Sequence, residues 1–232
     1  RFSEALDFAG GTEFAGGQLH AIRSCIERYL GRRYGLEVSV KEPAQLRDEA
    51  DYAGVVVDKW QVAVVTAARR RDLPKQRIKI EVANIPAYSR EPRSILVNYD
   101  FLPDGYGDTL VMTESLDEVM ADKLISLVNT VRYVRHRDLW DLRWLHQRGA
   151  QINPTWLRQK IKDYGIADYP ARLDAMRIRL PEIIHGAAFR NELSRFIPMD
   201  VQERTLGRAK FYDALAGQIR DLLQDTARVL QE

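Results

Sequence analysis

The periodicity of the apolar residues changes once along this chain, and that change limits the folds open to it. Up to about Thr113 they fall in short alternating or β-branched runs, the pattern of strands. Beyond it they recur every three or four residues, the pattern of helices. Over 232 residues this predicts a mixed α/β (α+β) part at 1–113, followed by a helical domain at 114–232.

Within the first part, Arg1 to Phe8 alternates. Phe2, Leu6 and Phe8 point one way, and Ser3, Ala5 and Asp7 the other. The Phe/Leu side is expected in the core, with Asp7 facing a cleft or solvent. After the Gly10-Gly11 break, Gln18 to Tyr34 reads as an amphipathic helix striped by Leu19, Ile22, Ile26 and Leu30. Leu36–Val40, Val55–Val57 and Gln61–Thr66 read as strands. Arg77 to Ala83 is another strand, with Ile78, Ile80 and Val82 on one face and Lys79 and Glu81 on the other. Ile95–Tyr99 and Thr109–Met112 are expected to complete the sheet. Ala83 to Ser94, with Pro86 and Pro92, reads as a loop.

In the second part, Ser115 and Glu118 have capping-box spacing. Asn153-Pro154 has the cap and first-turn proline of another helix. Pro170, Pro181 and Pro198 punctuate the remainder.

Hydrophobic residues make up 45% of the chain and charged residues 29%. That is enough apolar material to fold without disulfides or structural metals. A single cysteine, Cys25, excludes an intramolecular disulfide, and the four histidines have no zinc-ligand spacing. A reducing, cytoplasmic setting is the expectation. No apolar run approaches the ~20 residues of a membrane span. The net charge of +2 does not mark a nucleic-acid binder, although Arg69–Arg71 and Arg132–Arg137 are local basic clusters. The chain opens at Arg1 inside a strand pattern, so an upstream part of the first domain is expected to be missing.

Three patterns place charge where hydrocarbon is usual. Asp7 and Glu81 each emerge from the polar side of an otherwise apolar strand. If the two strands are neighbours, both carboxylates come within reach of one Mg²⁺, a hard cation that takes oxygen ligands. Taken singly, each also reads as a solvated or salt-bridged strand residue. The third pattern is Lys123, on the apolar stripe of Leu116, Met120 and Leu127. An ammonium there needs a carboxylate or phosphate partner. On the next helix Asp138 falls between Leu142 and Leu145, and Arg137 and Asp141 have the spacing of an i,i+4 pair. A buried structural ion pair and a phosphate-binding role remain open alternatives.

At these residues the sequence resembles the AbiEii-type nucleotidyltransferase toxins of type IV toxin–antitoxin and abortive-infection systems. Their first motif, approximately Arg-x-Ser-x-Asp-x-Asp-Phe, is similar to Arg1-Phe2-Ser3-Glu4-Ala5-Leu6-Asp7-Phe8. A later block is similar to Glu118-Val119-Met120-Ala121-Asp122-Lys123 and then Arg132 and Arg137-Asp138-Leu139-Trp140-Asp141. Lys79-Ile80-Glu81-Val82 resembles an intermediate motif.

The resemblance implies a polymerase-β-like nucleotidyltransferase core with a mixed sheet and a helical second domain. It implies Mg²⁺ as cofactor and a nucleoside triphosphate as donor. The acceptor would be an RNA (the 3′ end of tRNA in some members) or a protein, and an antitoxin would restrain the toxin. Asp7 would be a metal ligand, and Glu81 a ligand or the base on the attacking hydroxyl. Lys123 would neutralise the triphosphate. Arg137, Asp138 and Asp141 would fix that lysine and the nucleotide, Ser3 would touch phosphate, and Arg132 would hold phosphate as well. With Arg132, the basic residues Arg69–Arg71 and Arg135 would hold an acceptor's backbone.

One departure from the family pattern bears on activity. Ala5 stands where the motif has its first aspartate, and Glu4 cannot replace it because neighbouring strand residues face opposite sides. Two readings follow: a nucleotidyltransferase, or a catalytically impaired protein that keeps the fold for binding.

Overall fold

The computed structural model describes residues 5–45, 55–68, 70, 72–97, 99–102, 105–129 and 133–231. They pack as two units, one running to Ala87 and one from Tyr88 onward.

The first unit contains β1 (Ala5–Ala9), α1 (Ile22–Tyr34), β2 (Glu37–Lys41), β3 (Val57–Val65) and β4 (Gln76–Ala83). The strands form one mixed sheet in the order β1-β4-β3-β2, with β1 parallel to β4 and the other neighbours antiparallel. Alternation sorts the side chains. Trp60, Val62 and Val64 of β3, Ile78, Ile80 and Val82 of β4, and Val38 and Val40 of β2 share one face. Leu19, Ile22 and Ile26 close over it. The other face carries Lys59, Gln61, Lys79 and Glu81.

Two glycines let this unit close. Gly10 continues the β1–β4 pairing through its N–H to the Ala83 carbonyl at 2.8 Å. A Cβ there would meet Phe14 at 2.5 Å and Val82 at 2.9 Å. Gly35 ends α1 at φ +63°, a left-handed cap that costs least for glycine.

Two expectations for this sheet are corrected. Val55–Val57 and Gln61–Thr66 are not separate runs, because β3 passes straight through Asp58 and Lys59. Lys59 points to the open face, and Asp58 sits against Gly16, where the missing side chain leaves room. Leu6 and Phe8 are not core residues either; they are 50% and 48% exposed. Among the described residues β1 is one of the two edge strands, and α1 packs toward the other, β2.

The second unit begins with a two-stranded antiparallel ribbon, β5 (Glu91–Ser94) and β6 (Leu110–Thr113). Among the described residues, seven α-helices follow: α2 (Leu116–Asn129), α3 (His136–Gln147), α4 (Pro154–Asp163), α5 (Tyr169–His185), α6 (Ala187–Leu193), α7 (Met199–Arg204) and α8 (Ala209–Gln231). The ribbon does not complete the large sheet as the sequence suggests. Its first strand lies inside the stretch expected to be a loop, and Pro92 is tolerated because each strand of a ribbon has an open edge. The helices bury one core of Met120, Leu124, Leu127, Leu139, Leu142, Leu145, Leu157 and Tyr169 with their neighbours. Asn153 caps α4 as its sequence predicts, accepting the Trp156 N–H at 3.1 Å. Pro181 does not end a helix but lies inside α5. No helix among the described residues is long and apolar enough to cross a membrane.

Candidate functional site

Strand register determines what the open face of the sheet presents. Asp7 of β1 is the direct partner of Glu81 on β4, and Glu81 is the direct partner of Lys59 on β3. Three charged residues thus form a row across three strands spaced ~4.8 Å apart. Lys59 Nζ lies 3.9 Å from Glu81 Oε1, a loose and partly solvated pair. The next row holds Ala5, Lys79 and Gln61. Ala5 therefore lies one pleat, ~6.6 Å, from Asp7 on the same face, where a carboxylate would have joined the row's acidic end. Ser3 lies outside the described residues.

Lys59 escaped the sequence reading. The Trp60/Val62/Val64 alternation carries the signal that it shares a face with Glu81.

In the helical unit, α2 and α3 bring the expected basic and acidic residues together. Lys123 Nζ lies 2.8 Å from Asp138 Oδ1 and 3.0 Å from Asp141 Oδ2. The Ser126 hydroxyl donates to the other Asp138 oxygen at 2.8 Å. Both aspartates are buried, while Lys123 keeps partial access to solvent. Burial alone would lower the lysine pKa, but the two carboxylates outweigh it and hold the ammonium charged. The expected Arg137–Asp141 pairing is corrected. Asp141 turns to Lys123, and the Arg137 guanidinium stacks on Phe196 with 4.6 Å to the ring centre.

A second ionic cluster in this unit was not foreseen. Lys160 of α4 is fully buried and has Asp122 at 2.9 Å, Glu118 at 3.0 Å and Glu114 at 3.3 Å. Glu118 is buried too. Its carboxylate accepts the Tyr88 N–H at 2.8 Å, the Ser89 N–H at 2.6 Å and the Ser89 hydroxyl at 2.5 Å. Burial would raise the Glu118 carboxyl, but these donors and Lys160 prevail and hold it low.

This cluster leaves the expected capping box half formed. The Ser115 hydroxyl accepts the Glu118 N–H at 3.2 Å, but Glu118 does not reach back; Ser89 Oγ accepts the Ser115 N–H at 2.8 Å instead. Glu114 moves the opposite way from Glu118: burial first, and the neighbouring Asp122 charge second, push its carboxyl up to about 8. The spacing of Leu157, Lys160, Ile161 and Tyr164 places Lys160 on an apolar stripe, as with Lys123.

The basic clusters fare less well. Arg69, Arg71 and Arg132 lie outside the described residues. Arg70 spends its charge locally on Asp72, with contacts at 2.8 and 2.7 Å.

Among the described residues, no group of three or more acidic, histidine or cysteine side chains is arranged to hold a metal ion. The three carboxylates around Lys160 already enclose an ammonium. On the sheet, Asp7 and Glu81 supply two hard oxygen donors side by side. That fits a Mg²⁺ bound through one or two carboxylates together with substrate phosphates.

The sequence matches the family model described as Nucleotidyl transferase AbiEii toxin, Type IV TA system, over residues 1–224. No curated protein matches the chain at a significant level.

Proposed function

The chain belongs to the AbiEii nucleotidyltransferase toxin family of type IV toxin–antitoxin systems, and from that premise we propose that it transfers a nucleotide from a nucleoside triphosphate to the hydroxyl of an RNA acceptor. The 3′ end of tRNA is the acceptor we favour, with the reaction taking place in the cytoplasm. Membership implies an antitoxin partner, and we propose that the antitoxin restrains this activity.

The observation that carries the reading is the Asp7–Glu81 register pair on the open, polar face of the mixed sheet. Asp7 and Glu81 would hold one Mg²⁺. When bound, the ion supplies charge neutralisation for the triphosphate and orients the reacting phosphorus. Glu81 would also accept the proton of the attacking hydroxyl, whose oxygen bonds the α-phosphorus as the bond to pyrophosphate breaks. Lys59, 3.9 Å away, orients the Glu81 carboxylate.

Lys123 is our candidate phosphate contact in the helical unit. Two of its three N–H groups are taken by Asp138 and Asp141, which position the third. Arg137, Arg135, Ser3 and Arg132 keep their assignment to phosphate on the strength of the resemblance alone.

Ala5 favours a second reading, a fold kept for binding with catalysis impaired. Phosphoryl transfer rests on positioning and electrostatics, so loss of one shared metal ligand is costly. The test incubates the chain and an Ala5→Asp version with labelled nucleoside triphosphates and total tRNA. Label incorporated only by Ala5→Asp identifies a disabled transferase. Label with both shows that Asp7 and Glu81 suffice. Label with neither overturns the transferase reading in favour of the binding protein.

A further inference from the structure

Helix α3 holds two carboxylates, Asp138 and Asp141, and both are buried against Lys123. Its outward side has none. Arg137, Trp140, Trp144 and Arg148 follow at intervals of three or four residues along one stripe, with Arg143 alongside; Arg137, Trp144 and Arg148 are exposed, whereas Arg143 is half-buried and Trp140 is half-buried against the helical core. Each of the three guanidiniums lies over an aromatic ring. Arg143 is 5.6 Å from the centre of Trp140 and 5.5 Å from that of Phe211, Arg148 is 5.3 Å from Trp144, and Arg137 is 4.6 Å from Phe196. Among the described residues, none of these arginines has a carboxylate within ion-pair distance. Arg137 and Arg148 are exposed, and Trp144 keeps 36% of its surface open to solvent.

The chemistry of this stripe is specific. A guanidinium stacked on a ring is held in place at little entropic cost. Its N–H edges stay free to grip phosphate in a bidentate way. Arg148 lies over the Trp144 ring, and the part of the indole that stays exposed beside it is a platform for a nucleobase. An acidic peptide would satisfy the arginines but would have no use for the flat face of Trp144. We propose that the outer face of α3, through Trp144, Arg143 and Arg148, binds single-stranded RNA, with phosphates on the arginines and a base on the indole. The inference rests on the transferase reading only for the identity of that RNA as the acceptor.

Binding is measured by fluorescence anisotropy with labelled total tRNA and with a labelled single-stranded RNA oligonucleotide, in the absence of nucleoside triphosphate. Failure of nucleotide transfer then leaves this experiment intact. The triple variant Arg143→Gln/Trp144→Ala/Arg148→Gln is expected to lose about tenfold or more in affinity. Its slope of log K against log salt should shrink by about 1.4, for two lost single-strand phosphate contacts. Arg177→Gln/Arg179→Gln on α5 serves as the control and should stay within about twofold.

Circular dichroism reports whether the triple variant folds. If it does not, Arg148→Glu at the exposed end of the helix must by itself lower affinity several-fold. Unchanged affinity and salt slope, or an equal loss in the α5 control, overturns the proposal. Displacement of the RNA by polyglutamate at matched charge concentration also overturns it, in favour of an acidic protein partner.

Discussion

On the sheet, Glu81 has Asp7 as its register neighbour and Lys59 at 3.9 Å, and all three reach solvent. In the helical unit, Lys160 holds three carboxylates within 3.3 Å; Lys160 and Glu118 are fully buried, while Glu114 and Asp122 sit at the rim of the cluster. The residue types are the same, and burial makes the difference. A charge removed from water must find its partners within the protein, so Lys160 and Glu118 are committed to structure. A carboxylate left at a solvated face keeps its lone pairs available to a ligand. Lys123 stands between the two cases, with buried partners but an ammonium that still reaches solvent.

That contrast is easiest to break at Lys160. Lys160→Met strands Glu118 and Asp122 without their cation and is expected to cost about 3–5 kcal/mol in urea unfolding. A loss below about 1 kcal/mol would place the cluster with the sheet face instead. Asp138→Ala is the next largest, at roughly 2–3 kcal/mol, because Lys123 can recover some hydration. If it proves neutral, the Lys123 group is not a structural pair.

A pH profile sharpens the comparison further. The Glu114 carboxyl lies near 4.5 in the unfolded chain and is pushed up to about 8 on folding. Between those values the folded state holds the extra proton. Stability from this group is therefore highest below about 4.5, falls as pH rises toward 8, and then levels off. Thermal melts across that range should show the decline, and Glu114→Gln should flatten it. Smallest of all, Asp7→Asn is expected to shift stability by no more than ~0.5 kcal/mol, as for a surface residue.

Much of this was legible in the residues, because periodicity encodes which face a side chain takes. The alternation of Arg77–Ala83 and of Arg1–Phe8 puts Glu81 and Asp7 each on the polar side of its strand, and the register makes them partners. The apolar stripe around Lys123 predicted a buried anionic partner, and Asp138 and Asp141 supply it. Other features depend on contacts that no local pattern records. Lys160 meets Glu114, Glu118 and Asp122 across 38 to 46 residues of chain. Glu118 was expected to serve its own helix end, but the Tyr88 and Ser89 donors won its carboxylate. Leu6 and Phe8 look like core residues in sequence because hydrophobicity cannot tell a central strand from an edge strand. Arg137 and Asp141 have pairing distance along α3, yet the buried aspartate turns to the half-buried Lys123 ammonium, while the exposed Arg137 guanidinium lies over Phe196.

We propose that the sheet face serves a ligand while the buried clusters serve the fold. Glu81→Gln tests it with two readouts on one protein: thermal unfolding, and calorimetric binding of a nucleoside triphosphate with and without Mg²⁺. Stability is expected to stay unchanged, within ~0.5 kcal/mol, and the Mg²⁺-dependent part of nucleotide binding to be lost. A marked loss of stability with Mg²⁺-dependent binding intact would contradict it.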